Sequence, residues 1–301
     1  MESALVTSLT VATPGPLRRS VKQAFRLFGM ATSTIRPLPD FLIVGAHRSG
    51  TSSLYAYLEE HPCVARKFPR VQQLKGVRYF GANYSKGLAW YRSHFPTAAY
   101  REYLERRHGG PVLVGDASPY DLFHPAAARR AAGVVPHARI LVLLRNPIDR
   151  AYSHWRRQRK AGMEPLATFE HALAAEPGRL AGEEERCATD PAYYSYAHEH
   201  FSYVRQGIYL EPLQRWLSGF PRDRVWIGSS ERFFMDPQGV YDDVLRFLGL
   251  PPHRLKDPAV VEGNPATRPL PPATRAGLQV RFKPHNARLE AFLGTTFGWN
   301  D

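Results

Sequence analysis

Residues 40–62 read DFLIVGAHRSGTSSLYAYLEEHP. The run FLIVG has the length and unbroken apolarity of a strand covered on both faces. AHRSG is a turn, and TSSLYAYLEEH has helical spacing and opens on hydroxyl residues. Strand, glycine-bearing turn and helix in that order suit a phosphate-binding loop, because the first-turn amides and the helix dipole favour an anion at the strand's carboxyl end. One residue departs from the triphosphate pattern GxxxxGK[ST], whose lysine follows the last glycine and reaches the β/γ-phosphates. Here Thr51 follows Gly50, and the loop's cation, Arg48, precedes it. Taken alone, such a stretch is more often a helix capped by Ser/Thr after a tight turn.

Three further runs read as buried strands, PVLVG (111–115), RILVLL (139–144) and RVWIGS (224–229), and GVRYF (76–80) reads as a weaker fifth. Long helical stretches separate them, so the expected fold is α/β, a P-loop-like three-layer α/β/α arrangement around a mainly parallel sheet of about five strands. Pro284 lacks the amide hydrogen a continuous helix needs, so the C-terminal stretch PATRAGLQVRFKPHNARLEAFLG is expected to split there. Residues 162–200, rich in Gly, Pro and Glu before they turn aromatic, read as disordered or as a lid or substrate loop. The expected organisation is a basic leader over 1–38 followed by one domain over 39–301.

The 301 residues hold 44% apolar and 22% charged side chains, ordinary globular composition, and no window has the ~18 uninterrupted apolar residues of a membrane span. The net charge of +13 attracts anions of several kinds: nucleotide, nucleic acid, membrane or an acidic acceptor. Its cations are scattered, without a nucleic-acid-binding signature, so nucleic acid is not expected as a partner. The segment LRRSVKQAFRLFGM (17–30) reads either as a basic amphipathic helix making peripheral contact with an anionic membrane or as a loosely docked leader. Its charges follow the apolar stretch, unlike a secretory signal. Cys63 and Cys187 fit neither a disulfide framework nor a metal motif, so a cytoplasmic location is expected, with or without membrane contact.

A second constellation favours the anion reading of the loop. In LRNPIDRAYSHW, Arg145 stands just past the third strand and Ser153 on the opening turns of the next helix. The arginine's forked donor and the serine's hydroxyl can converge on one phosphate at the sheet edge where the first loop lies.

Together GAHRSGTSSLYAYLEEHP and LRNPIDRAYSHW resemble the sulfotransferases that use 3′-phosphoadenosine 5′-phosphosulfate, in particular the heparan sulfate branch and its bacterial relatives. YSKGLAWYRSHFP (84–96), VGDASPYDLFHP (114–125), GIYLEPLQRWL (207–217) and FKPHNARLEAFLGTTFGW extend the resemblance over residues 39–299. It implies an enzyme moving a sulfuryl group to a hydroxyl, or less readily an amine, of a carbohydrate, lipid or small metabolite, with adenosine 3′,5′-bisphosphate as product. Arg48, Ser49, Gly50, Thr51, Ser52 and Ser53 would hold the 5′-phosphosulfate, with Arg48 also catalytic, and Arg145 and Ser153 would hold the 3′-phosphate. Asn264 and Arg268 would lie on a loop closing over the nucleotide. No metal is expected.

Two family residues are missing: the glutamate base is replaced by Gly76, and a histidine of the N-sulfotransferases by Pro212. Asp116 is then the carboxylate expected as base, with His124 and His94 behind it, although Asp116 can equally cap the SPYDLF turn. The aromatic run YYSYAHEHFSY (193–203) suits either stacking on the acceptor or core beneath a lid. A P-loop kinase or NTPase, and a non-catalytic nucleotide-binding protein at a membrane, are the alternatives. The first lacks the lysine and a magnesium-binding carboxylate, and the missing glutamate supports the second.

Overall fold

Five strands form a parallel sheet in the computed structural model, which describes the backbone of residues 15–69, 76–258 and 269–300, and side chains from residue 23 onward within those ranges. They are β1 (Phe41–Gly45), β2 (Val64–Ala65), β3 (Leu113–Ala117), β4 (Arg139–Leu144) and β5 (Val225–Ser229), in the spatial order β2-β3-β1-β4-β5. β1 is the central strand and buried at every residue, so it has no polar face to alternate. From β1 the chain crosses toward β2 on one side, and from β4 toward β5 on the other. The carboxyl ends of β1 and β4 therefore flank the point where connections diverge, which is where open α/β sheets carry their ligands.

The helices after these two strands start where the sequence puts them. Thr51–Glu60 follows Gly50, whose φ of +86° is a left-handed conformation that glycine adopts without a Cβ penalty. Pro147–Lys160 begins with proline at its first turn, while the Asn146 side chain accepts from the Ile148 amide at 3.0 Å.

Four expectations change. GVRYF is not a strand: Arg78 has φ +55°, Tyr79–Ala82 is a helical turn, and the edge beside β3 is taken by Val64–Ala65. Its apolarity reflects aromatic packing, with Tyr79 stacked on Tyr91 at 4.3 Å and Phe80 edge-on to the same ring at 5.3 Å. β3 runs two residues later than expected, which places Asp116 inside the strand, opposite Leu42 of β1. Pro284 does not split the C-terminal helix, which runs unbroken over Pro272–Leu293. The carbonyl that Pro284 leaves without an amide belongs to Val280, whose residue is 78% exposed and open to water, while Leu278, Phe282 and Leu289 bury the inner face on both sides of the proline.

Finally, residues 162–200 are folded, with helices Phe169–Leu180, Glu183–Thr189 and Tyr196–His200. Phe169 and Ala172 join Ile148, Ala151, Tyr203, Val204 and Phe282 in a second apolar cluster apart from the sheet core. This places the segment over the helix that follows β4.

Candidate active site

The loop after β1 is held chiefly through its backbone. Arg48 has φ +67°, a left-handed conformation costly for a side chain with a Cβ. Its carbonyl accepts from Arg145 Nη1 at 2.8 Å, and the Ser49 carbonyl accepts from the Ser230 hydroxyl. A Cβ on Gly50 would stand 3.0 Å from Phe234 and 3.1 Å from Phe233, so aromatic rings close the loop's far side. The loop after β4 is pinned in turn: Tyr209 donates to the Arg145 carbonyl at 2.8 Å, and Glu231 accepts from the Asn146 amide at 2.8 Å. Arg48 Nε then donates to Ser153 Oγ at 3.2 Å. The expected anion-binding groups of the two loops are thus joined by two direct hydrogen bonds at one sheet edge.

The polar atoms left over show what this edge can accept. Ser49 is 0% and Ser53 1% exposed, and neither Oγ has a hydrogen-bond partner among the described residues. A buried hydroxyl without a partner costs about 1–3 kcal/mol. Here both lie at a helix N-terminus, where an anion's oxygens would satisfy them. The residues therefore fit a phosphorylated or phosphosulfated nucleotide. Arg48, Thr51, Ser52 and Ser53 would face its 5′ end, and Arg145 and Ser153 a second phosphate.

Sequence reasoning overlooked the groups beside Arg48. His47 stacks on Tyr120, with ring centroids 6.1 Å apart, and meets His154 edge-on at 5.6 Å. Its Nδ1 is buried without a partner among the described residues. Burial, then the charges of Arg150, Arg78, His200 and Arg48, push His47 down to about 3, so the ring is neutral at physiological pH. From His154 a polar chain leads to the helical cover: Gln158 Nε2 meets His154 Nε2 at 3.1 Å and His200 Nδ1 at 2.8 Å. His200 meets the Tyr194 hydroxyl at 3.1 Å, and Arg78 pairs with the buried carboxylate of Glu199. Tyr194 and Tyr196 remain 37% and 42% exposed, so part of the aromatic run is open surface and not core. His47 stood in the first quoted loop, where chemistry could have flagged it. Arg78 was hidden by the strand reading of GVRYF.

Asp116 is placed inward. It is 1% exposed, accepts from the Val77 amide at 2.9 Å and the Tyr91 hydroxyl at 3.2 Å, and lies 3.8 Å from Lys67 Nζ. Burial raises its pKa against the opposing charge of Lys67, and burial brings Lys67 down to about 8. These contacts tie β3 to Val77 and Lys67 and give the carboxylate no open approach to an acceptor. A Cβ at Gly76 would lie 2.1 Å from the Ala117 carbonyl oxygen, so this backbone path has no room for the family's glutamate. Pro212 is buried in the first turn of Leu210–Gly219. Asn264 and Arg268 lie outside the described residues.

His94 bonds the Trp90 carbonyl through Nδ1 at 2.8 Å, as a helix-end contact. His124 is 2% exposed, and its Nδ1 accepts from the Ala126 amide at 3.2 Å, closing the turn after β3. Burial and the charge of Arg130 push His124 down to about 3. Above the unfolded value near 6.5 both folded and unfolded states are neutral there. Below it only the unfolded chain takes the proton, so His124 removes stability between about pH 6.5 and 3, by up to about 1.4 kcal/mol per pH unit. His124→Asn, whose Oδ1 can keep the Ala126 contact, is expected to flatten the fall of stability between pH 6.5 and 5 by about one proton. Urea melts across that range check it, and an unchanged slope would mean His124 charges in the folded state.

Comparison with known proteins gives a consistent result. Residues 38–260 match the family model described as the sulfotransferase domain. The solved sulfotransferase from Alicyclobacillus acidocaldarius superposes with a TM-score of 0.64 at 29% identity, covering 88% of this chain and 100% of that one. The bifunctional heparan sulfate N-deacetylase/N-sulfotransferase 2 of Bos taurus is 32% identical over 222 residues, 71% of this chain and 22% of that protein. Enzyme 4 of the same series from Mus musculus is 31% identical over 224 residues, 72% of this chain and 23% of that one. The chain spans about a fifth of the length of these curated relatives.

Proposed function

The chain belongs to the sulfotransferase family, and on that premise we propose that it moves a sulfuryl group from 3′-phosphoadenosine 5′-phosphosulfate to a carbohydrate, onto an amine before a hydroxyl. The observation that carries the donor is the joining of two anion-ready loops, Arg48 to Ser153 and Arg145 to the Arg48 carbonyl, around buried serine hydroxyls that lack partners. A triphosphate site has no use for a second cation-and-serine pair on the next loop, whereas a 3′-phosphate does. The order of acceptors reverses the one read from sequence. It is supported by the named N-sulfotransferase activity of the relatives.

Bound here, the donor supplies an activated sulfuryl group, and transfer calls for charge stabilisation on the nucleotide side and a proton acceptor on the other. Arg48 presents a guanidinium to the departing phosphate and keeps its own proton, since arginine does not deprotonate in proteins. Thr51, Ser52 and Ser53 add hydroxyl donors at the helix N-terminus. On the acceptor side His47 is the neutral base adjoining Arg48. Burial first, and then the surrounding cations, keep its lone pair free, and an anionic nucleotide would offset those charges and raise its basicity.

Calorimetric titration with adenosine 3′,5′-bisphosphate and adenosine 5′-monophosphate in magnesium-free buffer tests the donor. Tight binding that depends on the 3′-phosphate is expected, and equal affinities, or preference for ATP with magnesium, would overturn it. Donor turnover on a glucosamine oligosaccharide and on its N-acetylated form then tests the acceptor, since acetylation removes the amine. In the same assay His47→Gln is expected to lower kcat by about 10²–10⁴-fold with nucleotide affinity little changed. Full kcat in that variant would place the proton acceptor elsewhere.

A further inference from the structure

The helix Gly15–Ala31 lies on the protein with much of its described apolar surface exposed. It meets the body at Gly29, where a Cβ would stand 2.7 Å from the Ser93 carbonyl, at Arg26, whose Nη1 donates to Ser93 Oγ at 2.8 Å, and at one flank of its apolar face, where Phe25 and Phe28 lie 5.8 and 6.1 Å from the Phe68 ring. By helical spacing Ala24, Phe25, Phe28 and Ala31 share a different face, and the sequence continues that stripe through Leu17 and Val21. Leu27 is 67% exposed, Phe28 56%, Met30 39% and Phe25 36%, and Ile35 just beyond the helix is 55% exposed. Phe25, Phe28, Ala24 and Phe68 line an open apolar concavity of about 540 Å³. A helix that served only to cover the domain would bury this stripe and show its cations to water.

The charges identify what covers it. Between Glu2 and Asp40 there is no acidic residue, while Arg18, Arg19, Lys22, Arg26 and Arg36 all fall in that span. Arg36 is taken up inside, 4.1 Å over the Phe68 ring, and Arg26 is engaged at Ser93. Arg18, Arg19 and Lys22 belong to the helix itself. A second copy of the chain is a poor occupant, because a self-complementary contact through this span would offer cations on both sides and no carboxylate to pair with them. An anionic lipid surface meets both demands, apolar side chains entering the acyl boundary and cations resting on headgroups.

We infer that Gly15–Ala31 is a membrane-surface anchor that seats the enzyme reversibly on an anionic leaflet. The test uses the full chain, sedimented with phosphatidylcholine vesicles with and without phosphatidylserine. Binding is expected only with the anionic lipid, weakening as salt rises. Leu27→Ser/Phe28→Ser changes largely exposed residues, giving up the ring contact of Phe28 with Phe68 at 6.1 Å, and should lower the melting temperature little while losing most of the binding. Arg18→Glu/Arg19→Glu/Lys22→Glu should weaken it by at least about five-fold per cation. Equal partition onto neutral vesicles, absence of partition onto either kind, or a concentration-dependent dimer dissolved by Leu27→Ser/Phe28→Ser would each overturn the anchor.

Discussion

Replacing Arg48 with alanine is expected to lower kcat by about 10²–10³-fold, the usual loss for a preorganised donor at the developing charge, while affinity for adenosine 3′,5′-bisphosphate falls by less than about ten-fold. The split follows from how the loop is held. Its fixed points are backbone carbonyls, that of Arg48 under Arg145 and that of Ser49 under Ser230. Removing the Arg48 side chain leaves both in place, so the cradle that binds the nucleotide in its ground state survives. What is lost is the guanidinium, and the charge it faces grows only as the sulfuryl group departs. An interaction made mainly in the transition state appears in kcat and hardly in product affinity. Arg48→Lys is expected to recover part of the loss, since a point charge neutralises without the fork. Turnover and calorimetry on the same preparations check this. Equal losses in kcat and affinity would assign Arg48 to ground-state binding.

The parts of this site legible in the sequence are those written in contiguous residues. FLIVG followed by AHRSGTSS, and RILVLL followed by RNPIDRAYS, each carry strand, turn and helix start within one stretch, and the structure joins Arg48 to Ser153 across 105 positions. Parallel order then brings both loops to one edge, because the sheet leaves little choice about which strand ends face the crevice. Residues whose roles come from crossing contacts were less legible. Asp116 followed an apolar run and read as an edge carboxylate. A shift of two residues in β3 turned it inward to Lys67, Tyr91 and the Val77 amide. Arg78 lay in a run whose apolarity comes from stacked rings, and its pairing with Glu199 spans 121 positions. Pro284 misled for a different reason. The rule that proline breaks a helix assumes the lost partner matters, and at a surface carbonyl with packed side chains on either side it does not.

Arg145→Ala is expected to produce the complementary result, a loss of adenosine 3′,5′-bisphosphate affinity of about 10–100-fold, as when a charge-assisted pair is broken. Adenosine 5′-monophosphate, which lacks the 3′-phosphate, should bind the variant almost as it binds the parent, so the preference between the two nucleotides collapses. Arg145 also donates to the Arg48 carbonyl, and the variant leaves that carbonyl without its partner. Some loss of kcat therefore accompanies the loss of affinity, and this distinguishes Arg145 from a cation that touches only ligand. Ser153→Ala separates the two effects, because it removes a hydroxyl from the 3′ side and its bond to Arg48 Nε while keeping the Arg145 bond to the loop. If both residues grip one phosphate, the double variant should lose less than the sum of the single losses, and that coupling should vanish with adenosine 5′-monophosphate. Additive losses with both nucleotides would show that Arg145 and Ser153 act on the fold of the loops and not on a shared 3′-phosphate. The second anion site would then be gone, and a donor with a single phosphorylated end would account for the loop after β1.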